Sequence, residues 1–203
     1  MTGCSSYSPG SNDRNGDFFD AALRGRKVCT AYNGAANSGV YAYARCCSWP
    51  GMSCSYSYGN RSSSADDAGS MAFCPSQIDC LDAFVTGCSV KSLTAGLTGT
   101  KPFMPNYCQG YNEMVEKGLW VHAACCSAPN FNCKTKSILS GTGAGDKAII
   151  GCDAGWILTG CSVRSPNHYS YGAYIDDNDN CVAVNGQDGR KIWALAVCCK
   201  DEY

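Results

Sequence analysis

The stretch Thr159–Gly160–Cys161–Ser162 stands ahead of a cysteine doublet, Cys198–Cys199, and this pair of landmarks occurs three times in the chain. Thr2–Gly3–Cys4–Ser5 leads to Cys46–Cys47, and Thr86–Gly87–Cys88–Ser89 leads to Cys125–Cys126. Each copy places one further cysteine 17 residues before its doublet: Cys29, Cys108 and Cys181. Cys88 to Cys161, Cys108 to Cys181 and Cys125 to Cys198 are each 73 residues apart, while Cys29, Cys46 and Cys54 precede their counterparts by 79. Spacings that agree at several independent positions mean a tandem array of one small cysteine-stapled unit.

Composition sets the context. Seventeen cysteines in 203 residues read as a disulfide scaffold and an oxidising compartment. Zinc sites are built from Cys-x-x-Cys pairs or Cys/His clusters, and the chain has no Cys-x-x-Cys and only two histidines, so no metal or cofactor is expected. A net charge of −1 without a polybasic run argues against nucleic acid and anionic membrane surfaces as partners. No apolar run approaches the roughly 20 residues needed to span a bilayer, so no membrane insertion is expected. Met1–Gly10 lacks the basic start and apolar core of a signal peptide. The third copy has six repeat cysteines: Cys133, Cys152, Cys161, Cys181, Cys198 and Cys199. In the second, Cys54, Cys80, Cys88, Cys108, Cys125 and Cys126 match them, leaving Cys74 outside the repeat. The first has only Cys4, Cys29, Cys46 and Cys47. The expectation is the C-terminal part of a longer secreted protein, with Cys46, Cys47 and Cys74 unassigned.

The units span 1–47, 48–126 and 127–203. Val40–Arg45, Leu119–Ala124 and Ile192–Val197 each alternate into a doublet as half-buried strands. Adjacent strand residues face opposite sides, so the two sulfurs of a doublet take different partners. The linkers Cys47–Cys54 and Cys126–Cys133 each carry a proline turn, too short to let neighbours tumble freely. Ser8–Gly16 reads as a surface loop, as do Gly59–Gly69 and Gly141–Lys147, and Asp17–Lys27 is also assigned to loop. Short strands and turns without a long 3.6-residue period give an all-β class.

Candidate sites are few. Asp176–Asn180 opens like a calcium loop, but Cys181 and Gln187 stand where Gly and Glu are required, so it reads as a turn. Gly141–Lys147 lacks phosphate-loop spacing. His122 and His168 are the available general bases, and neither lies in a nucleophile motif, so no catalytic residue is assigned. Tyr41, Trp120 and Trp193 share the slot five residues before each doublet, and with Trp156 they read as core. Asn60–Arg61–Ser62 is an N-glycosylation sequon on a loop.

Val28 to Cys47, Cys125 to Cys133, Gly155 to Ser162, and Gly172–Tyr174 with Cys181–Val182 resemble the Cys/His-rich C-terminal domain family of proprotein convertase subtilisin/kexin type 9. The resemblance runs in order over nearly the whole chain. It implies three tandem disulfide-stapled antiparallel β-sandwich modules, each resistin-like, around a pseudo-threefold axis. It also implies first–sixth, second–fifth and third–fourth pairing: Cys133–Cys199, Cys152–Cys198 and Cys161–Cys181; Cys54–Cys126, Cys80–Cys125 and Cys88–Cys108; and Cys4–Cys29. In that family the domain follows a subtilisin-like protease, is not itself catalytic, and serves as an interaction module in a protein that lowers low-density-lipoprotein receptor levels. An extracellular receptor or the parent protease domain is the implied partner. The alternative is a stand-alone secreted Cys-rich structural or signalling protein. The family domain is His-rich, whereas this chain carries two histidines.

Overall fold

The computed structural model describes residues 1–12, 14–23, 26–34, 39–65, 68–93, 97–112, 118–166 and 169–202. The chain is all-β. The first repeat contributes β1 (Gly3–Tyr7), β2 (Arg14–Leu23), β3 (Arg26–Asn33) and β4 (Tyr41–Arg45). The second contributes β5 (Ser53–Tyr58), β6 (Gly69–Phe73), β7 (Gln77–Ile78), β8 (Leu81–Asp82), β9 (Phe84–Ser92), β10 (Leu97–Phe103), β11 (Tyr107–Asn112) and β12 (Leu119–Ser127). The third contributes β13 (Phe131–Leu139), β14 (Lys147–Ile150), β15 (Ile157–Arg164), β16 (Ser170–Ile175), β17 (Cys181–Asn185) and β18 (Trp193–Asp201). All the pairings are antiparallel. The loop assigned to Asp17–Lys27 is corrected: 17–23 belong to β2 and 26–27 to β3, whose register places Phe19 opposite Cys29, and residues 24 and 25 lie outside the described residues.

The large sheets do not respect the repeat boundaries. Their orders are β14-β17-β16-β1-β4, β13-β18-β15-β10-β11-β6 and β3-β2-β9-β12-β5. Each joins strands of one repeat to strands of another through a single bridge: Tyr7 to Gly172, Gly99 to Arg164, and Gly16 to Lys91. Tyr7, Lys91 and Arg164 each lie three residues after the cysteine of their Thr-Gly-Cys-Ser motif. The three glycines sit at φ of 112°, 89° and 96° for Gly172, Gly99 and Gly16, a left-handed region that other residues enter at a cost.

The Thr-Gly motifs meet in a closed ring. A Cβ added to Gly3 would lie 2.5 Å from the carbonyl oxygen of Thr159, one on Gly160 2.4 Å from that of Thr86, and one on Gly87 2.5 Å from that of Thr2. Only glycine permits this backbone approach. Thr86 and Thr159 are bulged residues, since β9 and β15 each slip register against β12 and β18 at that point. Their hydroxyls turn across the ring: Thr86 Oγ1 donates to Thr2 O at 3.1 Å, and Thr159 Oγ1 to Thr86 O at 3.0 Å.

Seven disulfides fasten the frame: Cys4–Cys29, Cys54–Cys126, Cys74–Cys125, Cys88–Cys108, Cys133–Cys199, Cys152–Cys198 and Cys161–Cys181. Within each bonded doublet the two sulfurs take different partners. The expected Cys80–Cys125 bridge is corrected, because Cys74 takes that place and Cys80 is a free, exposed thiol. Register explains why. Cys152 follows by two the residue opposite Cys181, and Cys74 follows by two the residue opposite Cys108. The strand that carries the Thr-Gly motif, β15 or β9, then begins 5 residues after Cys152 but 10 after Cys74. The extra length forms the β7–β8 hairpin, with Asp79 and Cys80 both at positive φ in its turn. That insertion carries Cys80 to a spacing that mimics the repeat.

The two proline linkers are the same turn. Met52 N donates to Trp49 O at 3.1 Å and Phe131 N to Ala128 O at 3.2 Å, with Gly51 and Asn130 at positive φ after their prolines. Trp49 and Phe131 stack edge to face across the junction, with ring centroids 5.0 Å apart. The cores themselves are small-residue cores. Val85, Val121, Ala123 and Cys125 fill one, and Ala183, Ile192, Ala194 and Cys198 another. The aromatics expected in the core are not enclosed by it: Tyr41 is exposed, Trp120 and Trp193 are half-buried, and Trp156 is half-buried against the edge of one core. Cations cover those indoles, Arg61 over Trp120, Lys134 over Trp156 and Arg164 over Trp193.

Two substitutions test this frame. Gly160→Ala forces a Cβ onto the Thr86 carbonyl and should cost roughly 3 kcal/mol in urea unfolding, whereas Gly39→Ala, with open space around it, should change stability by less than about 1 kcal/mol. Cys74→Ser should cost about 2–4 kcal/mol and Cys80→Ser less than about 0.5 kcal/mol, and the reverse order would restore the Cys80–Cys125 bridge.

Candidate interaction surfaces

Two places in this frame are chemically unusual. The first is where the repeats meet, beside the Thr-Gly ring. Ser8–Gly16 was expected on the surface, but Arg14 begins β2 and is 2% exposed, with Asp17 at 6%. Ser6 Oγ donates to Asp17 Oδ2 at 2.8 Å, and the Arg14 guanidinium donates to Ser6 Oγ at 3.2 Å and Ser170 Oγ at 3.0 Å. Burial pushes the Asp17 carboxyl up to about 7, against the pull of Arg14 and the hydrogen bonds from Ser6 and Val90. The register gives the counterparts: Arg14, Leu97 and Ser170 pair with Asn33, Asn112 and Asn185. Those asparagines recur at the same offsets of 79 and 73 as the cysteines, a signal the cysteine pattern overshadowed. Asn112 reaches Ser63 O and Ala65 O, and Asn185 reaches Gly143 O and Arg190 O, so each pins a loop.

The second place is an aromatic pocket of about 240 Å³ lined by Phe18, Tyr58, Lys91, Leu93, Trp120 and His122. His122 sits in it as a clamped, buried ring. Phe18 meets it edge-on at 4.3 Å, Tyr58 lies at 5.2 Å, and its Nδ1 is 3.4 Å from Ser89 Oγ. Burial, with Lys91 beside it, lowers its pKa to about 4. The imidazole is held neutral at mildly acidic pH. Lys91 Nζ rests 3.9 Å from the centre of the Tyr32 ring. His168, the other candidate base, lies outside the described residues.

The remaining candidates resolve as scaffold. In Asp176–Asn180, Asp176 Oδ1 accepts from the backbone of Asn178 at 3.0 Å and Asn180 at 2.8 Å, an Asx turn. Arg45 joins that turn to the first repeat, 2.8 Å from Asp179 Oδ1 and 2.8 Å from Leu158 O. Among the described residues no cluster of three metal-ligating side chains occurs, and no helix is long and apolar enough to cross a membrane. Asn60 is exposed.

The clearest asymmetry concerns β4. Ala42, Ala44 and Cys46 are exposed, while the residues in the same slots, Val121, Ala123 and Cys125, and Ala194, Ala196 and Cys198, are fully buried. β12 lies between β9 and β5, and β18 between β15 and β13, but among the described residues β4 pairs with β1 alone. β3 is likewise terminal, whereas β11 and β17 are flanked on both sides. Cys46 and Cys47 are free thiols at the end of this open strand.

A Cys-rich all-β chain, with repeated doublets and adjacent copies sharing sheets, defines a disulfide-stapled β scaffold. Models described as the proprotein convertase subtilisin-like/kexin type 9 C-terminal domain match residues 1–51 and 127–202. Proprotein convertase subtilisin/kexin type 9 of Rattus norvegicus is 35% identical over 213 residues, covering 98% of this chain and 29% of that relative. The chain belongs to this C-terminal domain family, and it spans under a third of the length of the curated relative.

His122 gives a pH test. Its folded pKa of about 4 lies below the ordinary value of 6.5, so the unfolded chain binds the extra proton. Its contribution is full above about pH 6.5 and declines as pH falls toward 4. Asp17 acts oppositely, since its raised pKa favours the fold as pH falls from about 7. His122→Leu, which installs the residue of the Leu195 slot, should therefore remove roughly 2 kcal/mol of the loss between pH 7.5 and pH 5 relative to wild type. Denaturant midpoints of both proteins at the two pH values measure it.

Proposed function

We propose that the chain is the non-catalytic protein–protein interaction region of a larger secreted convertase of the subtilisin type. The observation that carries this reading is the uncovered face of β4, with Ala42, Ala44 and Cys46 exposed where both other repeats bury their counterparts. In those repeats a strand packs there and leads into the cysteine that bonds the doublet: β6 runs to Cys74, bonded to Cys125, and β14 to Cys152, bonded to Cys198. Cys54 and Cys133 complete the pattern from β5 and β13. The open edges of β3 and β4 and the thiols of Cys46 and Cys47 fit one occupant, a segment of the same longer protein that supplies two strands and two cysteines. The closed ring of Thr-Gly contacts supports a pseudo-threefold arrangement of units 1–47, 48–126 and 127–203. Seven disulfides support passage through the secretory pathway.

Family membership supports one partner class, a cell-surface receptor of the low-density-lipoprotein receptor type, whose abundance the whole protein would regulate. The test has two readouts. A non-reducing peptide map of the longer protein should link Cys46 and Cys47 to two cysteines N-terminal to Met1. Free thiols there would favour a stand-alone Cys-rich protein instead. Surface plasmon resonance on the receptor ectodomain should show affinity falling at least about tenfold when residues 1–203 are removed, and unchanged binding would overturn the receptor role.

A further inference from the structure

The sequon Asn60–Arg61–Ser62 and the aromatic pocket belong to one surface. β5 is the edge strand of β3-β2-β9-β12-β5, and Tyr58 at its end pairs with His122. Gly59 N donates to Val121 O at 2.8 Å, which holds that register one residue further. Asn60 therefore projects on the Tyr58 side of the sheet, at the position opposite Trp120. Ser62 N then bonds Leu119 O at 2.9 Å, one residue out of register, so Asn60 and Arg61 form a bulge at the pocket's lip. The Arg61 guanidinium carbon sits 5.1 Å from the Trp120 ring centre, which places the sequon over the pocket wall independently of the register.

Asn60 is exposed and its backbone is fixed, with its carbonyl accepting from Ser70 Oγ at 2.7 Å. Tyr58 is 51% exposed, and Leu93 beside the pocket is 52% exposed. An exposed apolar mouth next to an edge strand is a site for unwanted strand pairing, which proteins block with bulk or charge. We propose that Asn60 carries an N-linked glycan whose first N-acetylglucosamine lies over the open face of Tyr58, capping the aromatic pocket and shielding the β5 edge. The sugar's C–H face suits the electron-rich ring face, and its hydroxyls stay in water.

In the transfer, the Asn60 Nδ2–C1 bond forms and the bond from C1 to the pyrophosphate of a lipid-linked oligosaccharide breaks. The Nδ2 proton is lost and the lipid pyrophosphate departs. Ser62 is 8% exposed, and its hydroxyl donates to Ser63 O at 3.0 Å and accepts from Leu119 N at 3.1 Å. The sequon is therefore readable only before the second repeat folds, which places the modification during synthesis.

The test uses the complete protein secreted from animal cells. Mass analysis of the peptide containing Asn60 should show hexosamine-bearing glycan, and an unmodified Asn60 would overturn the site. With the glycan trimmed to one sugar, the unfolding midpoint should lie about 2–4 °C above that of Asn60→Gln. Tyr58→Phe should keep that difference and Tyr58→Leu should abolish it, both read on protein secreted at wild-type level. An equal difference in Tyr58→Leu would overturn the stacking. Transfer onto the folded, unglycosylated protein by the same enzyme in vitro would overturn the order of events.

Discussion

Three glycines without a Cβ hold this molecule's repeats together. Gly3, Gly87 and Gly160 each bring a strand within van der Waals contact of the next repeat's backbone, and a methyl group at any of them would overlap a carbonyl oxygen. The bulged threonines before two of them supply the bend, and their hydroxyls bind the carbonyl just ahead in the ring. Once the backbones are this close, strand edges from different repeats fall within pairing distance, and the three bridges at Gly16, Gly99 and Gly172 follow. Sheets that cross repeat boundaries are a consequence of the ring. A unit of about 70 residues has a marginal core of its own, so sharing sheets with neighbours and stapling with cysteine are two answers to one shortage.

The geometry explains what was legible beforehand. Cysteines at fixed register positions keep their spacing because a disulfide tolerates little change in the distance between strands, so the doublets and the Thr-Gly-Cys-Ser motifs announced the repeat. The same reliance on spacing produced the error at Cys80. A turn insertion of five residues displaced one cysteine by nearly the length that brought another into its slot, and only the pairing of β6 with β11 distinguishes Cys74 from Cys80. Gly16, Gly99 and Gly172 escaped notice because glycine is abundant, at 23 residues, and one more glycine carries no visible demand for positive φ. The tryptophans were also misplaced. Trp120, Trp156 and Trp193 stand half-buried beside cores made largely of Val, Ala and Cys, each with Arg or Lys over its ring.

The first repeat departs from the other two where the ring closes. Ser6 occupies the slot of Val90 and Val163, and Arg14 that of Leu97 and Ser170. The first repeat thus carries a buried Arg14–Asp17 pair with Ser6 and Ser170 as hydrogen-bond partners. Burying ions costs several kcal/mol each before their attraction and hydrogen bonds offset it. The partners come from β1, β2, β9 and β16, so the network is complete only when all three repeats are in place. No periodic reading could reveal it, because it is the point at which the period fails.

That dependence extends to the open edges. β4 terminates the sheet that runs through β1 into β16, β17 and β14, and β3 terminates the one that runs through β2 into β9, β12 and β5. A strand added at β4 would therefore extend a sheet whose far half belongs to the third repeat, and one added at β3 would extend a sheet rooted in the second. The joining bridges are Tyr7–Gly172 and Gly16–Lys91, and Arg14 lies two residues before the second while hydrogen-bonding Ser170, two residues before the first. Chain that covers the first repeat therefore braces all three repeats at once. The uncovered alanines of β4 mark a place where an added strand would bear on the stability of the whole ring, and not of one module.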